Sequence, residues 1–238
     1  MNKMIFIFYF IQFSLFSQEY FPKSDGELIK HTFYSLSYVE DHEQAEWVHY
    51  KITPLMLKGN VKRTNYFKID RKVSTGSANT KDYLKSGYDR GHLAPAADMK
   101  LSKLSMSESF YMSNVSPQKH SFNAGAWLKL EKLVRAWAKT SELYITTGGV
   151  LNSKYLKTIG NNNVSVPEKF YKIIYDPRNQ KIIAFLMANE KLDLPIEKYI
   201  VTVDEIESLT GIDFYHQLDD ELEEKLESTI LKRQWFFN

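Results

Sequence analysis

The stretch that most constrains the fold is residues 124–139, AGAWLKLEKLVRAWAK. Trp127, Leu130, Val134 and Trp137 recur at the 3.6-residue period, with Ala126, Leu133 and Ala138 beside them. That spacing predicts an amphipathic helix with one apolar stripe. Short segments rich in β-branched and aromatic residues surround it and read as strands: 47–53, 62–68, 111–115, 143–147, 170–175 and 182–187. Asp176-Pro177-Arg178-Asn179 between the last two is a hairpin turn signal. Residues 73–87 are rich in Ser, Thr, Gly, Asn and Asp and read as a loop, while 202–210 and 219–231 read as closing helices. The expected architecture is α+β, a mainly antiparallel central sheet with helices packed around it.

Composition narrows the classes. The chain has 238 residues, 43% hydrophobic and 25% charged, ample for a core without staples and far from a disordered or polytopic membrane composition. It has no cysteine, which excludes a disulfide scaffold, a Cys-ligated zinc and a thiol nucleophile. Residues 1–17 have the layout of a secretory signal: Lys3, then an apolar run over 4–16 broken only by Gln12 and Ser14, then the small Ser17. The run is shorter than the roughly 20 residues a membrane span needs. The expectation is export from a bacterial-type cell, to periplasm or medium, with no stable membrane association after cleavage. Residues 18–238 are then read as a single domain without repeats or long linkers.

Charge is sorted along the chain. The total is only +2, yet residues 51–90 carry ten Lys/Arg against three Asp/Glu, and residues 190–229 carry three Lys against thirteen Asp/Glu. Two solvated faces would explain this. So would a basic groove for a polyanion, with the acidic segment on another surface.

No ordinary P-loop, dinucleotide fingerprint or GxSxG elbow is present, and His42-Glu43 lacks a second His at position 46. Two other stretches carry chemistry. The first is Asp89-Arg90-Gly91-His92. Arg90 is a permanent cation suited to phosphate, His92 can take a proton near neutral pH, and Gly91 lets the backbone approach a ligand. Asp89 could pair with Arg90 or steady the loop. The second runs from Asn114 to Gln118 and on through Asn123, Trp127, Glu131 and Arg135. On an ideal helix Asn123 falls in the middle of the apolar stripe at its start. It is either an N-cap or an oxygen ligand for a hard divalent metal. Glu131 lies about 80° round and about 12 Å along from it. Arg135, one turn further, is spaced for an ion pair with Glu131.

Together these motifs resemble the DNA/RNA non-specific endonuclease family, the ββα-metal (His-Me finger) nucleases related to Serratia nuclease and mitochondrial endonuclease G. The resemblance runs from about residue 47 to 212. It rests on 89–92, on 114–118, on the Asn123-x3-Trp127-x3-Glu131-x3-Arg135 spacing, and on Arg63, which is followed by Phe67 and Asp70. It implies the ββα-metal fold and hydrolysis of DNA and RNA phosphodiesters to 5′-phosphate and 3′-hydroxyl ends. His92 would be the general base, with activity falling below roughly pH 6–7. Asn123 would be the one protein ligand of a single Mg²⁺, with Mn²⁺ as an alternative ion. Glu131 would orient a metal-bound water. Arg63, Arg90 and Arg135 would contact phosphate or hold the carboxylate. Asn114 and Gln118, with Asp89, would position the His-bearing loop or the substrate backbone. Residues 93–99 match the family loosely and are expected to stay clear of the catalytic set.

His120 is the rival base. His31, His42, His49 and His216 read as structural or surface residues. Two other functions compete: a catalytically silent nuclease-like binding or structural domain, and a phosphodiesterase for a small substrate. No sequence feature sets the oligomeric state, a homodimer being one option, or points to an inhibitor protein.

Overall fold

The computed structural model describes residues 20–237 apart from 24 and 154. The proposed signal segment, 1–17, lies outside the described residues. Strands β1 (Glu27–Lys30), β2 (Tyr34–Val39) and β3 (Gln44–Ile52) come first, followed by β4 (Asp89–His92), α1 (Lys103–Glu108) and β5 (Val115–Gln118). Helix α2 (Leu128–Trp137), β6 (Leu143–Gly149), and the short β7 (Thr158–Ile159) and β8 (Val164–Ser165) lead to β9 (Lys169–Asp176) and β10 (Lys181–Ala188). The described chain closes with β11 (Ile200–Val201), α3 (Val203–Thr210) and α4 (Asp220–Ser228).

Seven strands form one sheet in the order β1-β2-β3-β6-β9-β10-β11, and every neighbouring pair is antiparallel. The expected turn joins β9 to β10. The Asp176 carboxylate accepts from the Asn179 backbone N–H at 3.2 Å and from its side-chain amide at 2.7 Å. Because side chains alternate across a strand, Ile145, Ile174 and Phe185 point to one face, and Tyr144, Ile173 and Ala184 to the other. Both faces are covered, which is why these strands read as nearly unbroken apolar runs. Helix α2 sets Leu130, Val134 and Trp137 into the first face. Helices α3 and α4 set Ile206 and Leu226 into the second, against Tyr171 and Ile173. Each such fully buried side chain contributes about 1.5–3 kcal/mol from lost apolar hydration.

Several expectations need correction. Residues 62–68 form no strand; they run as irregular chain pinned where Lys68 meets Tyr111 in an isolated bridge. Most of that stretch is exposed, so its β-branched and aromatic residues gain little from pairing. At 111–115 a 3₁₀ turn over Met112–Asn114 precedes β5 instead of a strand. The α-helix starts at Leu128, not at 124. Residues Phe122–Trp127 form a wide π-helical turn in which Gly125, at φ −101° and ψ −110°, leaves the helical region. Asn123 is therefore not an N-cap of α2, and an ideal helix no longer relates it to Glu131.

The site is positioned by a separate two-stranded ribbon. β4 pairs antiparallel with β5, so that Asp89 faces Gln118, Gly91 faces Ser116 and His92 faces Val115. The two motif stretches are thus the two strands of one ribbon.

Candidate active site

Gly91 is required by the ribbon's packing. A Cβ there would fall 2.2 Å from Oε1 of Gln118, whose side chain lies across the glycine. Gln118 is fully buried, and its amide finds no hydrogen-bond partner among the described residues. Asn114 is also fully buried. Its Oδ1 accepts from the Ala94 N–H at 2.8 Å, and its Nδ2 donates to the carbonyls of Ala94 and Ser109, both at 2.9 Å. Its own carbonyl accepts from Leu93 N–H. Asn114 therefore clamps the chain immediately after His92. Both Asn114 and Gln118 are fully buried against the His-bearing strand.

His92 is 8% exposed, its ring edge-on to Phe110 at 4.9 Å between centroids and tilted against Phe67 at 5.3 Å. Nε2 is buried and has no partner among the described residues. Burial, reinforced by the neighbouring Arg63 and Arg90 cations, drives its pKa down to about 3. That shift favours the neutral imidazole, the form a general base needs. The arginines are held over the same aromatic pair, Arg90 at 4.3 Å from the Phe67 ring and Arg63 at 5.5 Å from the Phe110 ring. Sequence reading placed Phe67 within the resemblance without a role and gave none to Phe110; they wall the histidine and carry the cations.

In front of this wall lies a cleft of about 370 Å³, lined among others by Arg63, Phe67, Lys85, Tyr88, Arg90 and Asn123. Asp89 ties its rim together. One carboxylate oxygen accepts from Asn123 Nδ2 at 2.9 Å and meets His120 Nδ1 at 2.8 Å. A carboxylate only accepts, so the amide nitrogen of Asn123 must face it, which leaves the amide oxygen to accept a hydrogen bond or coordinate a cation. A single neutral oxygen beside a carboxylate fits a hard, mostly hydrated cation such as Mg²⁺, and suits a soft metal poorly. Asp89 forms no ion pair with Arg90 among the described residues; its carboxylate holds the Asn123 amide instead. His120 sits at this rim with its side chain 80% exposed.

Glu131 and Arg135 do not form the predicted pair. Arg135 Nη1 donates instead to Asp98 Oδ1 at 2.7 Å, and Tyr50 donates its hydroxyl to Asp98 Oδ2 at 3.1 Å. Asp98 belongs to the 93–99 segment expected to stay clear of the catalytic set, so that expectation is corrected too. Burial raises the carboxyl pKa of Glu131, and Asp98 adds to the rise, while Lys172, Arg135 and Arg63 oppose it. Lys172, on β9, is 1% exposed and lies 4.6 Å from the Trp127 ring. Its ammonium has no hydrogen-bond partner among the described residues, and burial lowers its pKa. A lone Lys in the strand FYKIIYD gives no sequence signal that it faces inward beneath α2.

Comparison with known proteins identifies the family. The family model for DNA/RNA non-specific endonuclease matches residues 14–221. The mitochondrial nuclease EXOG of Danio rerio is 32% identical over 216 residues, covering 83% of this chain and 63% of that protein. The chain thus spans under two thirds of the length of the EXOG proteins it matches. Human mitochondrial endonuclease G is 34% identical over 198 residues, 76% of this chain and 67% of that protein. Nuclease C1 of Cunninghamella echinulata var. echinulata is 32% identical over 217 residues, 83% of this chain and 86% of its own. Among solved structures, a chain of the EndoG/EndoGI complex superposes with a TM-score of 0.77 at 30% identity, covering 84% of this chain and 89% of that one. With motif order, ribbon geometry and these matches in agreement, the chain belongs to the DNA/RNA non-specific endonuclease family.

Proposed function

We propose that the chain is a metal-dependent endonuclease that hydrolyses the phosphodiester bonds of DNA and RNA without reading sequence, leaving 5′-phosphate and 3′-hydroxyl ends. One observation carries this reading: the buried, unpartnered Nε2 of His92 lies behind Phe67 and near Arg63 and Arg90, three residues that line a cleft together with the oriented amide of Asn123. A buried polar atom without a partner costs about 1–3 kcal/mol. Its retention beside fixed positive charge suits a base kept for a reactant.

His92 takes the proton from the attacking water, and its neutrality above about pH 3 keeps it competent throughout the physiological range. Arg63 and Arg90, already seated on aromatic rings, meet the phosphate with little reorganisation. Arg135, committed to Asp98, shapes the field around Glu131 and does not reach for phosphate. Asn123 would hold one Mg²⁺, or Mn²⁺ in its place, which supplies charge stabilisation at the phosphoryl and leaving oxygens. Glu131 would orient hydration water of that ion. Phosphate contacts carry no base information, so specificity is low and binding weakens as salt rises.

The test is incubation of purified protein with supercoiled plasmid and, separately, with RNA, in Mg²⁺ with and without EDTA. Both polymers should be cut, and EDTA should stop the cutting. No cleavage across a range of pH and divalent metals would leave a silent nuclease-like binding module instead. We further propose that residues 1–17 direct export to periplasm or medium and are removed, leaving 18–238 as one domain. Mass spectrometry of the mature protein checks this; a cytosolic chain that still begins at Met1 contradicts it.

A further inference from the structure

The acidic stretch 190–229 has no part in the cleft. Most of its charge sits on α3, α4 and the connection between them, which cover the sheet face opposite α2. Within it, Asp204 and Glu207 on α3 and Glu227 on α4 bring one carboxylate oxygen each to within 4.8 Å of one another. Asp204 is exposed, Glu207 half-buried and Glu227 buried, so the group runs from solvent into the protein. Glu207 is fixed in place because its Oε1 accepts from the Phe214 N–H at 2.8 Å.

A second observation separates this group from an ordinary acidic surface. Glu227 is only 6% exposed, and its Oε1 is sealed from solvent with no donor among the described residues. None of the three carboxylates forms an ion pair among the described residues. Asp213 and Glu223 add negative charge nearby. A buried carboxylate in that field must be neutralised by a proton or by a cation. No cysteine exists and no histidine joins the group, so its donors are all oxygen. Such donors suit a hard divalent ion. Ca²⁺ accepts an irregular set of carboxylates and waters more readily than Mg²⁺, which demands near-ideal octahedral geometry.

We propose that Asp204, Glu207 and Glu227 form a Ca²⁺ site that clamps α3 to α4, separate from the cleft and structural in role. Burial and the surrounding carboxylates push the Glu227 carboxyl up to about 9, a pressure that the ion relieves. Because the ion binds only where the two helices are packed together, it stabilises the folded chain by mass action.

The test uses the full chain with Asn123→Ala, which removes the expected ligand of the other site, after treatment with EDTA. At a Ca²⁺ concentration about a hundredfold above the dissociation constant, the melting temperature should rise by about 5–10 °C. Bound Tb³⁺ should emit when excited through the nearby Tyr215. Adding Glu227→Gln should abolish both responses. Adding Asp204→Asn, a change at an exposed position that leaves packing alone, should weaken apparent Ca²⁺ affinity at least about tenfold. Identical melting with Ca²⁺ and EDTA, with no Tb³⁺ emission, would overturn the site and leave Glu227 simply protonated. A Ca²⁺ response that survives both added substitutions would overturn it as well, by placing the ion elsewhere.

Discussion

The seven-stranded sheet and the β4–β5 ribbon each bury a histidine, on opposite terms. His49 in β3 is 4% exposed and its Nδ1 meets Thr146 Oγ1 at 2.8 Å. His92 in β4 is buried to a similar degree and leaves Nε2 with no partner among the described residues. Burial lowers both pKa values to about 3, but only at His92 do two arginines add to the effect. Equal burial therefore says nothing about function; the difference lies in whether the polar atom has been given a partner. In the sheet the hydrogen bond completes the packing. In the ribbon, His92 and Gln118 keep unpaired polar atoms, at a cost in stability.

The sharpest way to break this contrast is to truncate both rings. His92→Ala should lower the rate of plasmid cleavage by about 10²–10⁴-fold, the usual worth of a general base, with the circular dichroism spectrum unchanged. His49→Ala should leave turnover of the folded fraction intact and lower the urea midpoint instead. Next in size is the rim. Asp89→Ala removes the acceptor that aligns Asn123, and the Mg²⁺ concentration giving half-maximal cleavage should rise about 10–100-fold. An unchanged Mg²⁺ dependence would remove Asp89 from that role.

Smaller effects concern the groups beneath α2. Lys172 lowers the pKa of Glu131, so Lys172→Met should move the acid limb of the pH–rate profile to higher pH. Removing the ammonium leaves the buried Glu131 and Asp98 carboxylates less compensated, so stability should fall as well. An unmoved acid limb would uncouple the two residues. The smallest effect is on stability against pH. His49 binds its proton at about 3 when folded and near 6.5 when unfolded. Between those values the unfolded chain binds more protons, so stability falls as pH drops through this window. His49→Gln should flatten that fall by on the order of 1 kcal/mol per pH unit, read from urea midpoints between pH 3.5 and 7.

The sequence carried the motifs more clearly than the contacts between them. β3, β6, β9 and β10 were legible because apolar burial on both faces leaves an unbroken run. β1 and β2 were not, since ELIK and YSLSYV mix polar residues into short segments that depend on their neighbours. DRGH and the 114–118 stretch stood out as chemistry, yet nothing in their spacing showed that they pair residue for residue as one ribbon. Periodicity placed the helix but extended it through Gly125, where the chain forms a π-helical turn that residue spacing alone does not mark. Helical spacing paired Glu131 with Arg135, whereas tertiary packing gave the arginine to Asp98, 37 residues away. Local rules cannot see a partner that arrives from another element.

The most direct test of the central claim compares plasmid cleavage by His92→Ala and His120→Ala, each verified as folded, in the same Mg²⁺ buffer. His92 as the base predicts a loss of about 10²–10⁴-fold for the first variant and near-normal cutting by the second, whose ring is a solvent-exposed partner of Asp89. Normal cutting without the buried imidazole, and none without the exposed one, would contradict it.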